Sequence, residues 1–247
     1  MKVVGIIGYG EIGSSLEKVY LGRDFLVQIK DTKKGIDNLQ KKLDILNICI
    51  PYIDPDQFIT AVGNYIKEYN PQLTIIHSTV VPGTTKKIQE NYNVQNLVHS
   101  PVRGVHPNLY EGIKTFVKYV GSNNTSSTEL AVQHFKELDI KFDIFSSSTA
   151  TKLAKILDTT YYGVCIAFHN DINNLCTKYG VKFSEVATKY NNSYNEGYEK
   201  LGMHNVARPV LYPPKDGKIG GHCVVPNAEL CKTFFNSLAL DYILQLK

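Results

Sequence analysis

The stretch Val3 to Leu16, VVGIIGYGEIGSSL, constrains the fold more than any other, because it commits the chain to a buried strand, a glycine turn and a helix in immediate succession. Val3, Val4, Ile6 and Ile7 make a near-continuous apolar run, as expected of a central parallel strand covered on both faces. Gly8, Gly10 and Gly13 then fall at GxGxxG spacing. The first glycine permits the tight turn, the second lets a pyrophosphate approach the backbone around Tyr9, and the third lets the helix pack closely on the strand. The N–H groups near Glu11 and Ile12 point at such a phosphate, where the positive end of the helix favours anions.

A second apolar strand, Phe25 to Ile29, leads to Asp31. That places a carboxylate about 20 residues past the loop, where it accepts hydrogen bonds from the ribose hydroxyls of a dinucleotide. A carboxylate there repels a 2′-phosphate, so the predicted cofactor is NAD rather than NADP. Lys33 and Lys34 follow at once and supply the opposing charge.

Strand and helix patterns alternate through the first part of the chain. Strands are read at Leu43 to Ile50, Leu73 to Ile76, Leu97 to Val98, Thr115 to Val120 and Ile140 to Phe145. Helices are read at Pro55 to Tyr69, from near Pro82 in a first-turn position, and at Ser126 to Leu138. This predicts an α/β fold with a doubly wound parallel sheet of Rossmann type. The polar strand ends at Gly8, Asp31, Pro51, Ser78 and Ser100 line one crevice, where such sheets bind ligands. Thr149 to Tyr179 has neither proline nor a turn cluster and reads as one long helix ended by Gly180. It is apolar on several faces, which calls for cover on several sides and, in a domain this small, for a homodimer. A dinucleotide-binding domain over 1–146 and a smaller all-helical domain over 147–247 follow. Within the latter, Phe183 to Tyr190 reads as a helix, Asn191 to Gly221 as a long functional loop, and Pro226 to Leu246 as the last helix.

Composition narrows the function. The balance of 27 basic against 23 acidic side chains, without a dense basic cluster, gives no nucleic-acid footprint. No apolar run approaches membrane-spanning length and no signal-peptide pattern opens the chain, so a cytoplasmic protein is expected. Cys49, Cys165, Cys176, Cys223 and Cys231 are odd in number, widely spaced and without a CxxC pair. They read as reduced thiols, mostly buried, with no zinc-ligand spacing and no metal site.

Three further stretches carry chemistry: HSTVVPGTT at 77–85, HSPVRGVHP at 99–107 and GGHCVVPNAEL at 220–230. With the N-terminal loop and TKLAKILDTTYYGVCIAFHND at 151–171, they resemble the UDP-glucose/GDP-mannose dehydrogenase family in order and spacing along the whole chain. The resemblance implies an NAD-binding first domain, a long dimer-forming helix and a small-molecule sugar-nucleotide substrate. It implies Cys223 as the nucleophile that attacks the sugar aldehyde, giving a thiohemiacetal that is oxidised to a thioester and hydrolysed. Thr79 falls on the threonine of the STV motif, and Lys155 on the lysine that stabilises negative charge on the substrate oxygen. Cys223 also stands at the mouth of a glycine loop before a helix with Pro226 in its first turn, a setting that lowers a thiol pKa.

The departures carry equal weight. The family's glutamate after SP is Val102 here, its asparagine after the lysine is Thr159, and its aspartate after the cysteine is Asn227. An amide cannot act as a base and valine cannot act at all, which makes His106 the candidate substitute base. The family's C-terminal domain does not follow within the sequence. The expected activity is an NAD-dependent oxidoreductase acting on an alcohol or carbonyl of a sugar-like substrate, with Cys223 bonding to or positioning it. The alternatives are a two-electron hydroxyacid-type dehydrogenase and an inactive NAD-binding protein.

Overall fold

The computed structural model describes residues 1–40 and 42–247. It divides into two compact units, Met1–Lys155 and Ile156–Lys247.

In the first unit, strands β1 (Lys2–Ile7), β2 (Phe25–Asp31), β3 (Ile36–Asp37), β4 (Ile45–Ile48), β5 (Leu73–Ile76), β6 (Leu97–His99), β7 (Lys118–Ser122) and β8 (Phe142–Ile144) form one sheet. Their order is β3-β2-β1-β4-β5-β6-β7-β8. The chain builds outward from β1 in one direction and then in the other, so the switch point lies between β1 and β4. Adjacent Ile6 and Ile7 face opposite sides, as the two-residue period requires. Ile6 joins a core with Leu16, Val98 and Phe135, and Ile7 one with Leu46, Val62 and Ile88. The covering helices are α1 (Glu11–Tyr20), α2 (Pro55–Tyr69), α3 (Thr84–Tyr92), α4 (Leu109–Thr115) and α5 (Thr125–Glu137). Asp54 caps α2 by accepting from the Gln57 amide, with Pro55 in the first turn, and left-handed Asn70 ends it.

The expected doubly wound sheet is present, with three strands, β3, β7 and β8, reversed. β3 pairs antiparallel with β2, because a short turn replaces the crossover. β7 runs antiparallel to β6, and α4, which the sequence reading did not include, takes Leu109–Thr115 and moves the strand to Lys118–Ser122. Pro82 does not open α3: Gly83, at φ 89°, turns the chain first and the helix starts at Thr84.

The long helix α6 spans Ser148–Tyr179, and the divide between the units falls within it. Its first two turns pack into the first unit through buried Ser148, Thr151 and Lys152. Its single interior glycine has a packing reason in the second unit, since a Cβ on Gly163 would lie 2.5 Å from the Val224 side chain. Gly180, at φ 66°, ends it.

The rest of the second unit departs from the sequence reading. A π-helical turn, Ser184–Lys189, runs directly into α7 (Tyr190–Lys200), so the first part of the expected 191–221 loop is helix. Its asparagines, which read as loop formers, hold the following segment instead. Asn195 bonds the Arg208 backbone in both directions at 2.9 and 2.7 Å, and the Arg208 guanidinium lies over the Tyr194 ring, 4.2 Å from its centroid. The expected last helix is two, α8 (Val224–Lys232) and α9 (Leu238–Leu244), because Ser237 caps a new helix by accepting from the Ala239 amide. Only two of the five thiols, Cys176 and Cys231, are buried; Cys49, Cys165 and Cys223 are half-buried.

Candidate functional site

The three loop glycines are required for different reasons. Gly8 holds φ +90°, and a Cβ there would meet the Cys49 carbonyl oxygen at 2.9 Å. A Cβ on Gly13 would meet the Gly8 carbonyl oxygen at 2.0 Å. Among the described residues nothing lies within 4 Å of a Cβ on Gly10. Gly8 and Gly13 are therefore demanded by the fold, while Gly10 leaves open space against bare backbone. Gly10 is also the N-cap of α1 and no side chain caps that helix, so its first amides remain available to an anion.

Asp31 closes this loop from the end of β2. Its Oδ2 accepts from the Tyr9 amide at 2.6 Å and its Oδ1 from the Lys34 amide at 2.9 Å. The Tyr9 N–H bond foremost, then the Lys34 and Lys33 amides and the Lys34 charge, hold its carboxyl below the usual range against some desolvation. It is thus an ionised acceptor with lone pairs to spare. Lys34 Nζ donates to the Tyr9 carbonyl at 2.7 Å and lies 5.1 Å from the centre of the Tyr9 ring. Ile12 is half-buried behind the turn. Glu11 is paired with His106, which brings the 99–107 segment to the head of α1. The space at Gly10 and the acceptor at Asp31 are the groups here that could hold a pyrophosphate and a ribose.

Further polar groups gather past the carboxyl ends of the central strands. Ser78 Oγ donates to the Ile50 carbonyl at 2.6 Å, tying the residue before Thr79 to the one before Pro51. Buried His77 bonds the Ser100 carbonyl through Nδ1 and the Asn47 amide through Nε2. Buried His99 bonds Thr151 Oγ1 at 2.8 Å and the Ser78 carbonyl at 3.2 Å. Desolvation, above all, keeps both rings neutral. Half-buried Lys155 stands on α6 close enough to His99 and Lys118 for its charge to oppose theirs.

Sequence reasoning missed two buried amines. Lys118 Nζ donates to the Ser100 carbonyl at 2.6 Å and more weakly to that of Pro101. Lys152 Nζ donates to Thr85 Oγ1 at 2.8 Å and the Ser148 carbonyl at 2.9 Å. Burial pushes each amine down to about 7. The one available signal was a lysine inside an apolar strand, FVKYV at 116–120; Lys152 gave none, since a lysine on a helix ordinarily reads as a solvated face. Val102, where the resemblance predicts a glutamate, is a core residue packed with Leu109 and Ile113.

Cys223 and Asn227 belong to the second unit. Cys223 is the N-cap of α8, preceded by Gly221 at φ +90°. Asn227 lies one turn on, its amide nitrogen donating to the Cys223 carbonyl at 3.0 Å. Its side chain is buried and donates to Thr159 Oγ1 at 2.8 Å. Two of the three positions that depart from the family pattern, Thr159 and Asn227, are thus hydrogen-bonded to each other. A cavity of about 570 Å³ adjoins the glycine pair, lined by Tyr162, Leu211, Tyr212, Lys215, Lys218 and Gly220 among others. Among the described residues no group of three or more His, Cys, Asp or Glu could hold a metal ion, and no helix is long and apolar enough to cross a membrane.

A glycine loop at the switch point of a mostly parallel sheet, with a carboxylate ending the second strand, defines the Rossmann class of dehydrogenase folds. No family model matches the chain. Its relatives are nonetheless sugar-nucleotide dehydrogenases, in agreement with the resemblance to the UDP-glucose/GDP-mannose dehydrogenase family. It is 29% identical over 168 residues to the UDP-N-acetyl-D-mannosamine dehydrogenase of Methanococcus maripaludis, covering 67% of this chain and 35% of that protein. It is 24% identical over 192 residues to the UDP-glucose 6-dehydrogenase of Campylobacter jejuni, covering 71% and 48% respectively. The chain thus spans less than half the length of these curated relatives. The solved UDP-D-ManNAc dehydrogenase of Pyrococcus horikoshii superposes with a TM-score of 0.76 at 16% identity, covering 99% of this chain and 68% of that one.

Proposed function

We propose that the chain is an NAD-dependent dehydrogenase acting on an alcohol or carbonyl of a sugar nucleotide or related sugar. The observation that carries this reading is the pairing of Asp31 with the Tyr9 amide across a glycine loop whose Gly10 faces open space. That combination suits an adenosine ribose and a pyrophosphate and disfavours a 2′-phosphate. The named relatives act on UDP-sugars, which supports the substrate class.

NAD, when bound, supplies the hydride acceptor; the remaining work falls to the chain. The α1 amides and Gly10 hold the pyrophosphate. Thr79, Ser78 and Pro51 at the strand ends would help to hold the cofactor, and Lys155 would polarise the substrate oxygen. Cys223 bonds to or positions the carbonyl carbon from the start of α8. With Val102 in the core and Asn227 an amide, neither can activate water; His106, paired with Glu11, is the candidate base in their place, and hydrolysis of a thioester is slow. The exposed apolar side chains of α6, among them Tyr161, Phe168 and Leu175, form the homodimer surface.

The test is a titration with NADH and NADPH followed by NAD reduction over a panel of UDP-sugars, GDP-mannose and small hydroxyacids. Reduction with a UDP-sugar that is lost in Lys155→Met supports the reading. Turnover confined to hydroxyacids replaces the substrate class, and binding without turnover on any of them leaves a dinucleotide-binding protein.

A further inference from the structure

The first two turns of α6 carry a buried polar stripe, Ser148, Thr151 and Lys152, each at most 2% exposed. The spacing continues to Lys155 on the same face. The bonds of this stripe run in one direction. Lys152 Nζ donates to Thr85 Oγ1. The Thr85 and Ser148 hydroxyls meet at 2.8 Å, Ser148 Oγ donates to Asn123 Oδ1 at 2.8 Å, and Asn123 Nδ2 donates to Gln89 Oε1 at 2.7 Å. Because the Ser148 proton goes to Asn123, the Thr85 proton goes to Ser148, and the Thr85 oxygen is left to accept from Lys152. A second bridge leaves the same helix face one residue earlier. The Ser78 carbonyl can only accept, so His99 Nε2 carries the proton and Nδ1 accepts from Thr151 Oγ1. The helix also comes so near β7 that a Cβ on Gly121 would lie 2.5 Å from both the Ser147 carbonyl oxygen and Thr151 Oγ1.

An apolar side chain at 152 would fill the space without the cost of desolvating an amine. What the amine adds is two directed bonds, one of them to the segment that continues from Ser78 and Thr79. We propose that Lys152 is a positioning residue for Lys155, which together with His99 clamps the start of α6 to the 78–85 segment and fixes the direction in which Lys155 leaves the helix. The proposal rests on the reading of Lys155 as the residue that polarises the substrate oxygen, but the clamp can be measured without it.

The experiment follows reductive methylation of Lys155 against pH by mass spectrometry in the full chain, in the wild type, Lys152→Met, Thr85→Val and Thr85→Ser, with NADH affinity and thermal unfolding as controls. Lys152→Met and Thr85→Val are each expected to change the Lys155 labelling rate by about threefold or more and displace its pH midpoint, with the double variant no worse than either single one. Thr85→Ser, which keeps the hydroxyl, restores the wild-type profile. Unchanged labelling profiles in folded Lys152→Met and Thr85→Val overturn the clamp. So does global unfolding of both, since the network would then be a core requirement and not a positioning device. Where a sugar-nucleotide substrate turns over, the same two variants lower kcat with KM for NAD unchanged. Shifted labelling with no turnover in any protein supports the clamp and removes only the dehydrogenase reading.

Discussion

Gly13 stands so close to Gly8 that its Cβ, if it had one, would lie 2.0 Å from the Gly8 carbonyl oxygen, whereas a Cβ on Gly10 meets no atom of the described residues within 4 Å. The two substitutions therefore separate folding from binding. Gly13→Ala forces the helix off the strand and is expected to cost about 2 kcal/mol or more, read as a lowered thermal midpoint. Gly10→Val, at φ −78°, keeps the wild-type midpoint and loses at least about tenfold in NADH affinity, because its side chain fills the path of the pyrophosphate. NADH binding unimpaired in Gly10→Val would place the cofactor elsewhere.

Asp31 uses both oxygens on backbone amides, which aims its remaining lone pairs and keeps it ionised. NADH is expected to bind more tightly than NADPH. Asp31→Ser should erode that preference by about tenfold, in line with the loss of one charge-assisted hydrogen bond. Fluorescence titrations check this, and equal wild-type affinities would remove the role given to Asp31.

The strands and helices that bury a continuous face were legible in the sequence: β1, α2 and β5 fall where their apolar pattern and caps put them. So was the glycine turn, since Gly13 is fixed by the Gly8 carbonyl five residues back, although Gly8 itself is held against Cys49, just past the end of β4. What escaped the sequence depended on contacts far along it. α7 reads as a loop because Asn191 and Asn195 are poor helix formers, and only the Arg208 segment gives them a purpose. Lys152 reads as solvated because Thr85 is 67 residues away. Val102 reads as a lost acid because nothing local shows that Leu109 and Ile113 pack on it.

The buried bases predict a protein weakened by acid. Burial lowers His77 and His99 well below their ordinary value and His134 to about 4, so below the unfolded value of about 6.5 the unfolded state takes up protons that the folded state refuses. Lys118 and Lys152, lowered to about 7, act with the same sign from there up to an unfolded value of about 10.4. Stability thus falls as pH drops from about 8.5 to about 5, by up to about 1.4 kcal/mol per unit for each group within its window. Above about 8.5 the unfolded cysteines ionise while Cys49, raised by burial, does not, which offsets part of the lysine contribution. Urea midpoints across this range test the sign. Lys118→Met should flatten the slope above about pH 7 and leave the acid limb.

Tyr161, Phe168 and Leu175 are 63, 59 and 55% exposed on α6, a large apolar load for one helix surface. A homodimer is expected, and Phe168→Glu should weaken it by about 2 kcal/mol or more, since a buried carboxylate without a partner is costly. Light scattering at micromolar concentration decides: a monomeric wild type would end the dimer proposal.

Cys223 is half-buried, as are Cys49 and Cys165, so differences in their alkylation rates report reactivity more than access. Of the five, Cys223 is the one at a helix start, as the N-cap of α8, with no side-chain hydrogen bond capping that helix. It should react with iodoacetamide faster than the other four. Completion is a separate matter. Asn227 donates to Thr159 Oγ1, whose own proton goes to the Ile156 carbonyl. In Asn227→Asp the carboxylate can only accept, so the Thr159 hydroxyl must turn toward it, and a base that can activate water then stands one turn from Cys223. An aldehyde substrate should give a burst of NADH and a trapped acyl-enzyme in the wild type, and faster turnover in Asn227→Asp. Mass spectrometry decides between the mechanisms: a Cys223 no more reactive than Cys49 or Cys165 would eliminate the covalent route and leave direct hydride transfer with Lys155 alone on the oxygen.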